Sequence, residues 1–96
     1  MEINVQSIKF DADQKLLAFI EKKLGKMDKF YEEATRAEVT LSLLSDHDNK
    51  NVKVRVLVPG NDIIVERNAD TFENAVTEIA GILKDNLVAV KEKKIK

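Results

Sequence analysis

The sequence predicts an α+β fold in two layers, ordered β-α-β-β-β-α, with a four-stranded mixed sheet and two helices on one of its faces. Three observations predict it. Between Asp70 and Lys94, apolar residues recur at steps of three and four (Phe72, Ala75, Val76, Ile79, Leu83, Leu87, Val90), which marks one buried helix face. A second stripe of the same period runs through Leu16, Leu17, Ile20, Leu24, Met27 and Tyr31. Between the two stripes the period falls to two, as in half-buried strands. With 96 residues, 44% of them hydrophobic, the chain can build one small core, so 1–96 is read as a single domain.

Taken in order, Glu2 to Lys9 forms a short strand carrying Ile3, Val5 and Ile8. Asp11 or Asp13 then caps the first helix, whose stripe continues to Tyr31 across Gly25, although glycine costs ~1 kcal/mol of helix propensity relative to alanine. From Arg36 to Leu43, Ala37, Val39, Leu41 and Leu43 face one way while Glu38, Thr40 and Ser42 face the other. Ser45 to Asn51 reads as a polar turn. Val52, Val54, Val56 and Val58 then alternate with Lys53, Arg55 and Leu57 in a third strand. Pro59, Gly60, Asn61 and Asp62 turn the chain into a fourth strand that starts at Ile63 and fades by Asn68. Asp70, with Glu73 three positions on, is a variant capping box for the second helix, and Lys91, Lys93, Lys94 and Lys96 set positive charge near its C-terminal end. A helix between the first two strands implies a parallel pair, and short turns make the last three an antiparallel meander. Strands that are apolar on one side require both helices to cover the same side.

Composition narrows the functions. Lys and Arg number 16 against 17 Asp and Glu, so attraction to nucleic acid must come from where charge is placed. The absence of cysteine removes disulfides, thiolate metal sites and cysteine nucleophiles. No signal-peptide pattern precedes the first strand and no apolar run reaches the roughly 18 residues of a membrane span, so a soluble cytoplasmic protein is expected. His47 is the sole histidine, and there is no nucleophile elbow, phosphate-binding glycine loop or paired-acid spacing. Neither an enzyme nor a cofactor protein is expected. Asp46, His47 and Asp48 are neighbours in a turn and lack the further ligands of a closed metal site.

The polar side of the first helix is the informative surface. At 100° per residue, Lys15, Lys22, Lys26 and Lys29 fall within an arc of about 60° opposite the buried stripe, with Lys23 on its flank and Glu21 and Asp28 off the line. Such a ridge can follow a phosphate backbone and release its counterions with no base-specific contact. Phe19 beside it could stack on a base or form the margin of the core. A solvated helix face whose lysine stems cover apolar edges explains the same lysines. Arg55 and Lys53 on the open sheet face could touch RNA, and pairing across strands with Glu38 explains them as well.

The run Ala18-Phe19-Ile20-Glu21-Lys22-Lys23-Leu24-Gly25-Lys26-Met27-Asp28-Lys29-Phe30-Tyr31 resembles the first helix of ribosome hibernation promoting factors, also described as ribosome-associated inhibitors or sigma-factor modulation proteins. Asp70-Thr71-Phe72-Glu73-Asn74-Ala75-Val76 is similar to that family's start of helix two, and element order matches over nearly the whole chain. The resemblance implies a fold akin to double-stranded RNA-binding domains and a factor of stress and stationary phase. It implies binding to rRNA in the decoding region of the small ribosomal subunit, silencing translation by occluding tRNA and mRNA. Lys22, Lys23, Lys26 and Lys29 match the basic first helix. In helix two, Asp85 stands where the family tends to have arginine, and Glu78, Asp85 and Glu92 form an acidic line beside Lys84 and Lys91. The expected RNA contacts are therefore Lys15, Lys22, Lys23, Lys26 and Lys29, assisted by Lys84 and Lys91. Ending at Lys96, the chain resembles the short form, without the C-terminal dimerisation domain of longer members. The competing expectation is a protein-interaction module that uses the acidic line or a free sheet edge and binds no RNA.

Overall fold

The computed structural model of the chain describes residues 2–45, 49–60 and 62–95. The elements follow in the expected order: β1 (Glu2–Ser7), α1 (Gln14–Leu24), β2 (Arg36–Leu43), β3 (Lys50–Leu57), β4 (Ile63–Ala69) and α2 (Phe72–Ile95), with a 3-10 turn at Met27–Lys29. The four strands lie side by side in sequence order, β1 parallel to β2 and the other pairs antiparallel.

Register sorts the residues of the two middle strands into two faces. Ala37 opposes Val56, Val39 opposes Val54 and Leu41 opposes Val52, and all six side chains are buried. Against them lie Ile20 and Leu24 of α1 and Ala75, Val76, Ile79, Leu83 and Leu87 of α2, in one continuous core. Burying each Leu or Ile in this way contributes about 1.5–3 kcal/mol. Both helices therefore cover the same face. Phe10, after β1, stacks on Phe72 at 5.2 Å and so ties the approach to α1 to the first turn of α2.

The opposite face is polar and internally bonded. Ser42 Oγ donates to Asn51 Oδ1 at 3.1 Å, while Asn51 Nδ2 donates to Asn68 Oδ1 and Glu66 Oε2. Asn51 can thus be buried without an orphaned amide, and β3 starts at Lys50 rather than Val52, which cuts the expected polar turn short. Arg55 stands opposite Glu38 in register, yet its guanidinium bonds the Asp62 carboxylate, with Nε 2.7 Å from Oδ2. That hydrogen bond and the Asp62 charge push the Arg55 guanidinium further up from its ordinary pKa. Ile64 is exposed and Leu57 half-buried on this side.

Three local expectations are corrected. The first helix does not run on to Tyr31: α1 stops at Leu24, with Gly25 as its C-cap. The Gly25 N–H bonds Glu21 O at 2.7 Å, and the bonds from Lys29 to Lys26 and from Phe30 to Met27 then tighten the chain into the 3-10 turn. A Cβ at Gly25 would stand 2.5 Å from Glu21 O, so the chain turns where only glycine fits. The cap of α2 is Thr71 rather than Asp70: Thr71 Oγ1 accepts from the Asn74 N–H at 3.0 Å, and Asp70 accepts from the Asn74 side-chain amide. Finally, β1 ends at Ser7 and β4 continues to Ala69, against the expected Lys9 and Asn68. At α1 the alternative resolves to Asp13, whose Oδ1 accepts from the Leu16 N–H at 2.8 Å. Gly81, in the interior of α2, lowers helix propensity by ~1 kcal/mol relative to alanine, which the buried stripe overrides.

Thr71→Ala is expected to lower unfolding free energy in urea by about 1 kcal/mol, and Asp70→Ala by less than half of that. The reverse order would return the cap to Asp70.

Candidate nucleic-acid interface

The two helices lie against each other on the sheet, and the seam between them is where several of the singled-out lysines meet. Lys22 and Lys23 occupy the last turn of α1, Lys26 follows the Gly25 cap, and Lys84 projects from α2 next to the buried Leu83. The wholly buried Leu24 and Leu83 press the helices onto the sheet and leave the neighbouring lysines at the rim. Together they line a groove of about 320 Å³ whose apolar part is Met27 and Phe30 and whose α2 side is Ala80 and Gly81.

Aromatic rings hold two of the ammonium groups. Lys84 Nζ sits 5.3 Å from the centroid of the Phe30 ring, and Lys23 Nζ 5.6 Å from that of Phe19. At exposed sites such contacts contribute about 0.5–1 kcal/mol, enough to bias where a long side chain rests. Phe19 is half-buried against the core, so it serves as core margin and as a seat for Lys23 together. Among the described residues no carboxylate lines the groove, and the ion pairs of Arg36 with Glu2 and of Arg55 with Asp62 lie elsewhere. Four ammonium groups around one concavity give a positive potential that the net charge of −1 conceals. Lysine ammonium groups suit phosphate oxygens as point charges and impose no planar geometry on them.

The remaining expected contacts sit outside the groove. Lys15 lies in the first turn of α1, Lys29 ends the 3-10 turn, and Lys91 lies two turns beyond Lys84 on α2; all three are exposed. Because α1 stops at Leu24, the expected straight ridge is a bent one, with Lys26 and Lys29 carried on the turn. Glu78 and Asp85 line a separate depression of about 560 Å³ with Arg67, on the far side of Gly81. Lys84 and Gly81 border both depressions, so the acids flank the lysine groove without entering it. Among the described residues no group of three or more His, Cys, Asp or Glu could hold a metal, and Asp46, His47 and Asp48 fall outside those residues. No described helix is long and apolar enough to cross a membrane.

Sequence reasoning passed over Phe30, Ala80 and Gly81 in the groove. Phe30 was visible only as one of the aromatics closing the basic run, and its place under Lys84 depends on α2 lying alongside. Gly81 carried a signal in being a lone glycine inside a strong helical stripe.

The family model described as sigma 54 modulation protein / S30EA ribosomal protein matches residues 3–95. The chain belongs to this family. It is a family of ribosome-associated modulation proteins rather than of enzymes. Among solved structures, the fold is similar to the crystal structure of the Thermus thermophilus Protein Y N-terminal domain, with a TM-score of 0.82 at 21% identity, covering 94% of this chain and 99% of that one. It is also similar to a ribosomal subunit interface protein from Coxiella burnetii, with a TM-score of 0.84 at 22% identity over 96% of this chain and 99% of that one. No curated protein matches the sequence significantly.

The Lys84 contact is measurable by NMR. The Lys84 ε-methylene protons are expected upfield of those of Lys22 through the Phe30 ring current, and Phe30→Leu should return them to the ordinary position. Unchanged shifts in that variant would remove Phe30 from beneath Lys84.

Proposed function

We propose that this protein silences translation by occupying the small ribosomal subunit in its decoding region, where it excludes tRNA and mRNA. The observation that carries this reading is the convergence of Lys22, Lys23, Lys26 and Lys84 on one groove that no carboxylate among the described residues lines. Membership of a ribosome-associated family supports the partner, and the relative described as a ribosomal subunit interface protein supports the position. Lys15 on α1, Lys29 on the 3-10 turn and Lys91 on α2 extend the positive surface beyond the groove, so that one RNA backbone can follow it. Each ammonium that meets a phosphate releases a counterion, and the contacts depend on backbone shape rather than base identity. Inhibition then comes from occupancy, with no bond made or broken.

Isolated small subunits should co-sediment stoichiometrically with the protein and release it as salt rises, by a slope of about −0.7 to −0.9 in log affinity per phosphate neutralised. Reversing charge at Lys22, Lys26 and Lys84 together should abolish association with the fold intact by circular dichroism. Alanine at any one of them should reduce the salt slope by about 1. Full association of the folded triple variant would favour instead a protein-interaction module using Glu78, Asp85 and Glu92 or a free edge of β1 or β4.

A further inference from the structure

Two of the three glycines are required by the backbone, and the third is not. Gly25 turns the chain where a Cβ would collide with a carbonyl oxygen, and Gly60 has φ +91, a conformation that L side chains rarely adopt. Gly81 lies inside α2, and a Cβ built there meets nothing within 4 Å. Glycine is the poorest helix former after proline, so a residue with open space around it in a helix interior gains nothing for the fold by lacking a side chain. Yet Gly81 is exposed, and it stands on the border between the depression of Glu78 and Asp85 and the lysine groove, one turn before Lys84 and across from Lys22 and Lys26.

Resting on the RNA reading above, we infer that Gly81 is a binding determinant: the sugar–phosphate strand of the RNA lies against the bare backbone of α2 at this residue, in the space a side chain would fill. Glycine serves such close approaches of a backbone to a ligand elsewhere in proteins. The attraction between an ammonium and a phosphate falls with distance and with intervening water, so a side chain that holds the strand away from α2 weakens its contacts to Lys84 as well. The wall of the groove at Gly81 sets how deeply the strand seats, and the lysines supply the charge that draws it in.

Gly81→Ala, Gly81→Leu and the combined Lys22→Glu, Lys26→Glu, Lys84→Glu variant, each in the full chain, separate this inference from the reading beneath it. Binding is measured to isolated small ribosomal subunits at low salt, and stability by thermal melting. Gly81→Ala should melt higher by about 4 °C or more. It should bind about threefold more weakly, and Gly81→Leu about tenfold or more. Wild-type affinity in both glycine variants beside a defective lysine variant overturns the role of Gly81 and leaves the RNA reading standing. Wild-type affinity in the lysine variant overturns both. A lower melting temperature for Gly81→Ala also overturns the inference, because the glycine would then be serving the fold.

Discussion

Burial of the α2 stripe against the valine-rich inner side of β2 and β3 is the interaction on which the rest of the structure depends. Val76, Ile79, Leu83 and Leu87 lose all contact with water there, and so do Val52, Val54 and Val56 opposite. The period of 3.6 on the helix and of two on the strands meet on one plane. Since the polar side of β3 carries Lys53 and Arg55, a helix can cover only the other side, and α1 must share that side with α2. The sheet's outer face is then left to a bonded polar network around Asn51 and to the Arg55 and Asp62 pair.

The lysine groove follows from that packing. Two helices on one face leave a seam, and whatever flanks their buried stripes lines it. On α1 the flanking residues are Lys22 and Lys23, and Gly25 ends the helix early enough that Lys26 turns into the seam instead of continuing along a straight ridge. On α2, Lys84 flanks Leu83, while the acids Glu78 and Asp85 fall to the other side of Gly81. A chain with nearly balanced charge thereby concentrates ammonium groups in one concavity. Asp85 itself lies outside the groove.

Element order, strand pairing and the shared helical face were legible in the sequence because each rests on a period that burial enforces. The end of α1 was not. The apolar stripe runs on through Met27 and Tyr31, both buried, but they reach the core from a 3-10 turn and the coil after it, so periodicity counted them as helix. The start of β3 was missed for the opposite reason: Asn51 looks like a turn residue, and only its partners Ser42, Asn68 and Glu66 make it affordable inside a strand. Of the candidate contacts, helical phase identified Lys22, Lys23 and Lys26, and Lys84 from the other helix. Their meeting in one groove, apart from Lys15, Lys29 and Lys91, depends on how α1 and α2 pack, which no single-element pattern encodes.

The most direct measurement is lysine footprinting: reaction of the protein with an amine-specific reagent, alone and bound to small ribosomal subunits, read residue by residue by mass spectrometry. Binding through the groove predicts strong protection of Lys22, Lys23, Lys26 and Lys84, with Lys53 on the opposite sheet face as reactive as in the free protein. Protection of Lys53 with the groove lysines left open would contradict it and place the contact on the sheet.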